Sequence, residues 1–170
     1  MSERRAAKPG PRMTHAVCPG SFDPPTHGHL DIIGRTAQLF DALTVAVLVN
    51  PDKHGMFSVD ERLDLLRQTT SAWPNVSVDA FQGLLVDYCR TNDIAVIVKG
   101  IRAVSDFDYE LQMAQMNKGL SGVDTFFLPT NPEFSFLSSS LIKQIAQYGG
   151  DVTRLLPPTV NAALNGKLGR

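Results

Sequence analysis

The chain has 170 residues, 43% hydrophobic and 19% charged, with a formal net charge of −1, the size and make-up of one soluble domain with a continuous core. Arg4, Arg5, Lys8 and Arg12 against Glu3 give the first twelve residues +3, which leaves −4 on the remainder and argues against a clustered basic surface for nucleic acid. No apolar run approaches the ~20 residues that span a bilayer, residues 1–12 lack the apolar stretch of a secretory signal, and Cys18 and Cys89 have no metal-type spacing, so the chain reads as cytoplasmic, with reduced and buried thiols.

Residues 1–12 read as a disordered tail by composition, and residues 13–170 as a single domain. Thr14–Cys18 is predicted as a first strand. A stiff loop with Gly20 and three prolines follows, and then a helix over His27–Phe40 whose stripe is Leu30, Ile33, Ala37 and Phe40. Leu43–Val49 is apolar throughout, as a strand buried on both faces of a parallel sheet must be. Asn50–Phe57 is a loop, and Ser58 with Glu61 forms a capping box that opens a second helix. Val59, Leu63, Leu66 and Thr70 line one side of that helix. Val76–Phe81 is a third strand and Leu84–Asn92 a third helix. Ile94–Val98 is a fourth strand, and the polar, glycine-bearing segment Lys99-Gly-Ile-Arg102 follows it at once. Asp106–Lys118 is a helix, Thr125–Leu128 a fifth strand, Ser138-Ser-Ser140 the cap of a helix to Tyr148, and Pro157-Pro158 the start of a last short helix ending near Lys167. Strands that alternate with helices make βαβ units and a Rossmann-like α/β fold: five parallel strands in the order 3-2-1-4-5 with helices on both faces.

The loop Cys18-Pro-Gly-Ser-Phe-Asp-Pro-Pro-Thr-His-Gly-His29 organises the rest. It crosses a strand end and enters a helix N-terminus, where backbone N–H groups and a positive dipole end suit a phosphate. Thr26 at the N-cap puts His29 at the third helical position, so hydroxyl and imidazole face the same space, and Gly28 leaves room for a ligand. His27 is expected at the helix start in solvent. In the 3-2-1-4-5 order, strands one and four meet at the topological switch point, where open parallel sheets bind ligands. The Ser21–His29 loop and the segment Lys99–Arg102 then share one crevice with Lys53 and the triple serine. There is no Gly-x-x-x-x-Gly-Lys-Ser/Thr and no Gly-x-Gly-x-x-Gly, nor a nucleophile–base couple. What remains is phosphate chemistry by cations and a helix-terminal histidine. Taken singly, Lys53 is an ordinary solvated charge, Arg102 and Glu110 an ordinary surface pair, the serines an ordinary cap, and His15 and His54 plain packing or surface residues. Met113, Met116 and Leu111 read as core or subunit contact.

Thr26-His-Gly-His29 resembles the His-or-Thr, any residue, Gly, His signature of the nucleotidyltransferase superfamily. With Pro19-Gly-Ser-Phe-Asp-Pro, Lys99-Gly-Ile-Arg102, Asp106-Phe-Asp-Tyr-Glu110, Met113-Ala-Gln-Met-Asn117, Ser135-Phe-Leu-Ser-Ser-Ser140, Gly150-Asp-Val-Thr153 and Leu156-Pro157, residues 14–168 resemble the bacterial phosphopantetheine adenylyltransferase family. The resemblance implies transfer of the adenylyl group of ATP to 4′-phosphopantetheine. The products are dephospho-coenzyme A and pyrophosphate, formed by direct in-line attack with Mg²⁺ held mainly by the ATP phosphates. It implies catalytic roles for His29, Lys53 and Arg102. ATP would meet Ser21, Phe22, His29, Gly100, Arg102, Tyr109, Glu110, Ser138, Ser139 and Ser140, with Phe22 lying along the nucleotide. The acceptor would meet Ser21, Lys53, Leu85, Lys99 and Asn117. It also implies coenzyme A as a further ligand and a homohexamer built as a dimer of trimers. Ser21 stands where many members have Thr, Lys99 where Arg is common, Phe134 where some have Trp, and Gln144 where some have Glu. The residues alone leave open the same reaction on glycerol phosphate or a pyridine mononucleotide, and a non-catalytic nucleotide-binding regulator.

Overall fold

The computed structural model describes residues 14–170; the tail expected over residues 1–12 lies outside them. The elements are β1 (His15–Gly20), α1 (His27–Leu39), β2 (Ala42–Leu48), α2 (Val59–Thr70), β3 (Val76–Phe81), α3 (Leu85–Thr91), β4 (Val96–Ile101), α4 (Val104–Ser121), β5 (Asp124–Pro129), α5 (Ser139–Gln147) and α6 (Pro158–Lys167), with a 3₁₀ turn at Pro132–Phe134. The strands form one parallel sheet in the expected order β3-β2-β1-β4-β5.

Side chains alternate across the sheet as strand geometry requires. Ala16, Cys18, Val45, Val47, Val96 and Val98 pack with Ile33 of α1 and Leu66 of α2 on one face. Val17, Ala46, Ile97 and Phe81 pack with Cys89 of α3 on the other. A third cluster, Phe57, Leu137, Ile142, Leu156, Val160 and Leu164, lies under α5 and α6. It anchors both the end of the loop after β2 and the residue before the triple serine.

Two expectations are corrected and two extended. The fourth strand, expected over Ile94–Val98, starts at Val96 and runs to Ile101, so Lys99 and Gly100 lie within it, paired with Phe127 and Leu128. Apolarity marks only the part of a strand covered on both faces; hydrogen bonding to β5 continues past it. The fourth helix extends from Val104 to Ser121, and Gly122 (φ 79°) closes it with its N–H donated to Lys118 O. On α1, Leu30, Ile33, Ala37 and Phe40 pack on the core as expected, and Ile32 and Thr36 are buried beside them. The Thr36 hydroxyl donates to Ile32 O at 2.7 Å and is thereby satisfied inside the core. On α2, Val59, Leu63, Leu66 and Thr70 face the interior as expected, and Arg62 and Leu65 are buried beside them.

One feature of the register creates the site. β1 pairs with β2 through Gly20, but with β4 only at Ala16 and Val17. The two central strands part beyond Val17, and a crevice opens between them at the switch point.

Candidate active site

The first wall of the crevice is the mouth of α1. Thr26 caps the helix: its Oγ1 accepts the His29 N–H at 3.3 Å, and its own N–H donates to His29 Nδ1 at 3.0 Å. This is a reciprocal capping box in which an imidazole stands where a carboxylate usually does. With Nδ1 an acceptor, the neutral ring carries its proton on Nε2 and has a donor left for a ligand. Burial, then the nearby Arg102 charge, pushes the His29 pKa down to about 4. The ring is therefore neutral at pH 7, as expected from its helix position, though burial is the larger cause. A Cβ on Gly28 would meet Phe134 Cβ and Thr26 Oγ1 at an ordinary 3.5 Å. Nothing in the protein demands glycine there; its missing side chain leaves space on the crevice side.

Two buried polar residues beside this mouth, Asp23 of the loop and Arg62 of α2, lie outside the Thr26–His29 motif. Asp23, 8% exposed, accepts from the Met56 N–H at 3.0 Å and the Phe57 N–H at 2.8 Å, and pairs with Lys143 Nζ at 2.6 Å. Burial alone would raise its pKa; Lys143 and the two N–H donors reverse that and hold it below the usual carboxylate range. One carboxylate thus ties the first loop to the end of the Lys53 loop and to α5. Arg62 donates to Ser21 O at 3.0 Å and to Ser58 O at 3.3 Å, which fixes the backbone at Ser21. A buried arginine within an otherwise apolar helix face was the available signal for the second; Asp23 offered none beyond its place in Gly-Ser-Phe-Asp-Pro.

The opposite wall comes from β4, α4 and the approach to α5. Arg102 donates to Leu137 O at 2.6 Å and, through Nε, to Asp106 at 3.0 Å, so its partner is Asp106 rather than Glu110. Glu110 instead faces Lys99 at 3.4 Å, both mostly covered. Gly100 is required by packing: a Cβ there would lie 2.8 Å from Ile32 Cγ1 of α1. Ser138 Oγ caps α5 by accepting the Leu141 N–H, Ser139 Oγ donates to Pro24 O at 2.7 Å, and Ser140 is exposed.

The crevice has a volume of about 1060 Å³, and its lining includes Ser21, Phe22, His29, Lys53, Leu85, Lys99, Gly100, Arg102, Tyr109, Glu110, Asn117 and Ser138–Ser140. Every residue singled out from the sequence as a site residue borders this one space, with Lys143, Arg62 and Asp23 beside them. Lys53 and Tyr109 are exposed at its rim. Phe22 borders the crevice and also contacts His29. It is 4% exposed, adopts a left-handed φ of 49°, and meets His29 edge-on at 5.0 Å. Its ring braces the imidazole. His27 is not free in solvent but stacks on Phe134 at 5.9 Å. His15 is satisfied by Thr44 at 2.9 Å. Burial pushes the Cys18 thiol up to about 12, so it is no nucleophile at neutral pH.

A cation-lined crevice at the switch point, with a neutral histidine at a helix mouth and no P-loop, defines a nucleotidyltransferase-type site. In agreement, residues 17–145 match the cytidylyltransferase-like family. The chain is 61% identical over 156 residues to the phosphopantetheine adenylyltransferase of Streptomyces coelicolor, covering 92% of this chain and 98% of that protein. It is 57% identical to the phosphopantetheine adenylyltransferase of Thermobifida fusca, over 91% and 94% of the two chains. A solved structure from Vibrio parahaemolyticus, provisionally assigned as a nicotinate-nucleotide adenylyltransferase, superposes with a TM-score of 0.67 at 19% identity, covering 91% of this chain and 94% of that one; at that identity it speaks to the fold alone. The chain belongs to the phosphopantetheine adenylyltransferase family.

Proposed function

We propose that this protein transfers the adenylyl group of ATP to 4′-phosphopantetheine, releasing pyrophosphate and forming dephospho-coenzyme A. The observation that carries the reading is the meeting of two cation sets in one crevice: Ser21 and Lys53 from the β1 and β2 loops, and Arg102 with the α5 mouth from the other side. The first set holds the acceptor phosphate. The second holds the β- and γ-phosphates of ATP, with Tyr109 and Glu110 toward the nucleoside. The α-phosphate lies between them at His29.

An oxygen of the acceptor phosphate attacks the α-phosphorus, a P–O bond forms, and the bond to the β-phosphate oxygen breaks in line. No protein nucleophile takes part. His29 donates from Nε2 to an α-phosphate oxygen as negative charge builds there, and Phe22 and the Thr26 cap hold that donor in place. Among the described residues no three His, Cys, Asp or Glu side chains cluster as a metal cage. Mg²⁺ would enter with the ATP phosphates held by Arg102 and the α5 mouth, and would supply charge neutralisation for the departing pyrophosphate.

We also propose assembly of identical chains, as a dimer of trimers. α4 supports it: the helix has 18 residues and none is buried, while Val104, Tyr109, Met116 and Leu120 are 79%, 63%, 60% and 54% exposed. Exposed apolar side chains along a helix of this length are a surface for another copy. The absence of a helix long and apolar enough to cross a membrane among the described residues fits a cytoplasmic site of action.

Pyrophosphate release assayed with ATP and Mg²⁺ against 4′-phosphopantetheine, glycerol phosphate and nicotinamide mononucleotide tests the reading. Turnover confined to 4′-phosphopantetheine is expected. Preference for either other acceptor would reassign the substrate, and ATP binding without turnover on any would make the protein a regulator.

A further inference from the structure

Residues 130–138 join β5 to α5 and form part of the Arg102 side of the crevice. Phe134 and Ser138 line that space, and Leu137 O accepts the Arg102 guanidinium at 2.6 Å. Much of the hydrogen bonding in this segment is internal. Asn131 O accepts the Phe134 N–H at 2.8 Å, Asn131 Oδ1 the Glu133 N–H at 3.0 Å, and Phe134 O the Leu137 N–H at 3.0 Å. A segment closed on itself in this way has to be set in place by contacts from outside.

Those contacts come from one stripe of α1. His27, Asp31 and Arg35 are each four residues apart, so their side chains stand above one another on the helix. They meet the segment in reverse order. Arg35 Nη1 donates to Pro129 O at 2.8 Å and to Asp31 Oδ2 at 3.1 Å, and Asp31 Oδ2 also accepts the Asn131 N–H at 3.3 Å. The His27 ring stacks on Phe134, with centroids 5.9 Å apart and an angle of 27° between the planes. None of the three lines the crevice. The helix that carries His29 at its mouth therefore grips, with a different face, the segment that Arg102 meets. We propose that His27, Asp31 and Arg35 are positioning residues for the reaction. Their stripe fixes the spacing between the His29 donor and the Arg102 side of the crevice, where the β- and γ-phosphates of ATP bind. The place between Thr26 and Gly28, which the signature leaves open, here supplies an aromatic partner to Phe134.

The role rests on the placement of the ATP phosphates proposed above, and the test separates the two. His27→Ala removes the stack but keeps the backbone bond of residue 27 to Leu155 O, and His27→Phe keeps a ring. By calorimetry with ATP and Mg²⁺, the Kd for ATP is expected to rise about fivefold in His27→Ala, the scale on which one aromatic contact is felt. It is expected to return to within about twofold of wild type in His27→Phe. Arg35→Ala releases Pro129 O and should weaken ATP by a similar factor. In both alanine variants the KM for 4′-phosphopantetheine is expected to stay within about twofold of wild type, and the melting temperature within about 2 °C, as for substitutions at the surface. An unchanged Kd for ATP in either alanine variant, equal weakening of both substrates, or no recovery in His27→Phe would overturn the positioning role. Arg102→Ala with wild-type affinity for ATP would instead overturn the placement of the phosphates.

Discussion

Asp23 is the sharpest point at which to perturb this molecule without touching a residue that meets the reacting phosphates. Its carboxylate holds two backbone N–H groups at the end of the Lys53 loop and the ammonium of Lys143. The side chains of Asp23 and Lys143 are 11% and 22% exposed, so solvent screens the pair little. Asp23→Ala strands a cation and two N–H groups, and breaking such a covered pair costs about 3–5 kcal/mol, a large share of the ~5–15 kcal/mol by which domains are stable. Asp23→Asn keeps an acceptor but loses the charge, and should cost about 2 kcal/mol, within the range of a charge-assisted hydrogen bond. Urea denaturation measures this, and steady-state kinetics should show the acceptor KM rising as the Lys53 loop loosens, with the KM for ATP less affected. Because the folded-state pKa of Asp23 is depressed, its stabilisation is present above the ordinary carboxylate pKa and is lost as pH falls below it. The Asn variant should therefore show a flatter loss of stability below pH ~4. An Asp23→Asn protein with a wild-type urea midpoint and a wild-type acceptor KM would refute the tethering role.

Further predictions follow from the same geometry. His29 is neutral throughout the physiological range, so kcat should show no limb from its titration between pH 6 and 8; NMR of the imidazole should place its pKa near 4, and a value near 6.5 would contradict the burial argument. Its depressed pKa also means that the stabilisation by the neutral ring is present above pH ~6.5 and fades as pH falls toward 4. Arg102→Lys keeps the charge but cannot hold Leu137 O and Asp106 together; the KM for ATP should rise more than that for the acceptor. Gly100→Ala puts a Cβ 2.8 Å from Ile32 Cγ1, and overpacking of this kind costs about 1–3 kcal/mol, readable as a lower melting temperature. Met116→Glu places a charge on the uncovered apolar face of α4, and sedimentation velocity should report smaller assemblies than for wild type.

Much of this was legible in the sequence because the signals were local. Uninterrupted apolar runs marked the parallel strands, the Ser58–Glu61 box fixed the start of α2, and Thr26-x-x-His29 fixed the mouth of α1. The convergence of Lys53, Arg102 and the serines required only the strand order. What stayed hidden was non-local. Nothing near Asp23 in the chain announces that Lys143, 120 positions away, will neutralise it, or that Arg62 will reach back to Ser21. β4 extended beyond its apolar run because β5 supplied hydrogen-bond partners, which pattern reading cannot see. Phe22 was read as a nucleotide contact; it does border the crevice, but that its ring also meets His29 edge-on could not be read from the chain.

The central claim is that a neutral imidazole at the mouth of α1 stabilises charge on a phosphorus held between two cation sets. The direct measurement is turnover of His29→Ala with ATP and 4′-phosphopantetheine, beside calorimetric affinities for both substrates. Loss of one well-placed donor to a developing oxyanion predicts a fall in kcat of about 10²–10³-fold or more with both substrates still bound; a kcat within a few-fold of wild type would contradict the account.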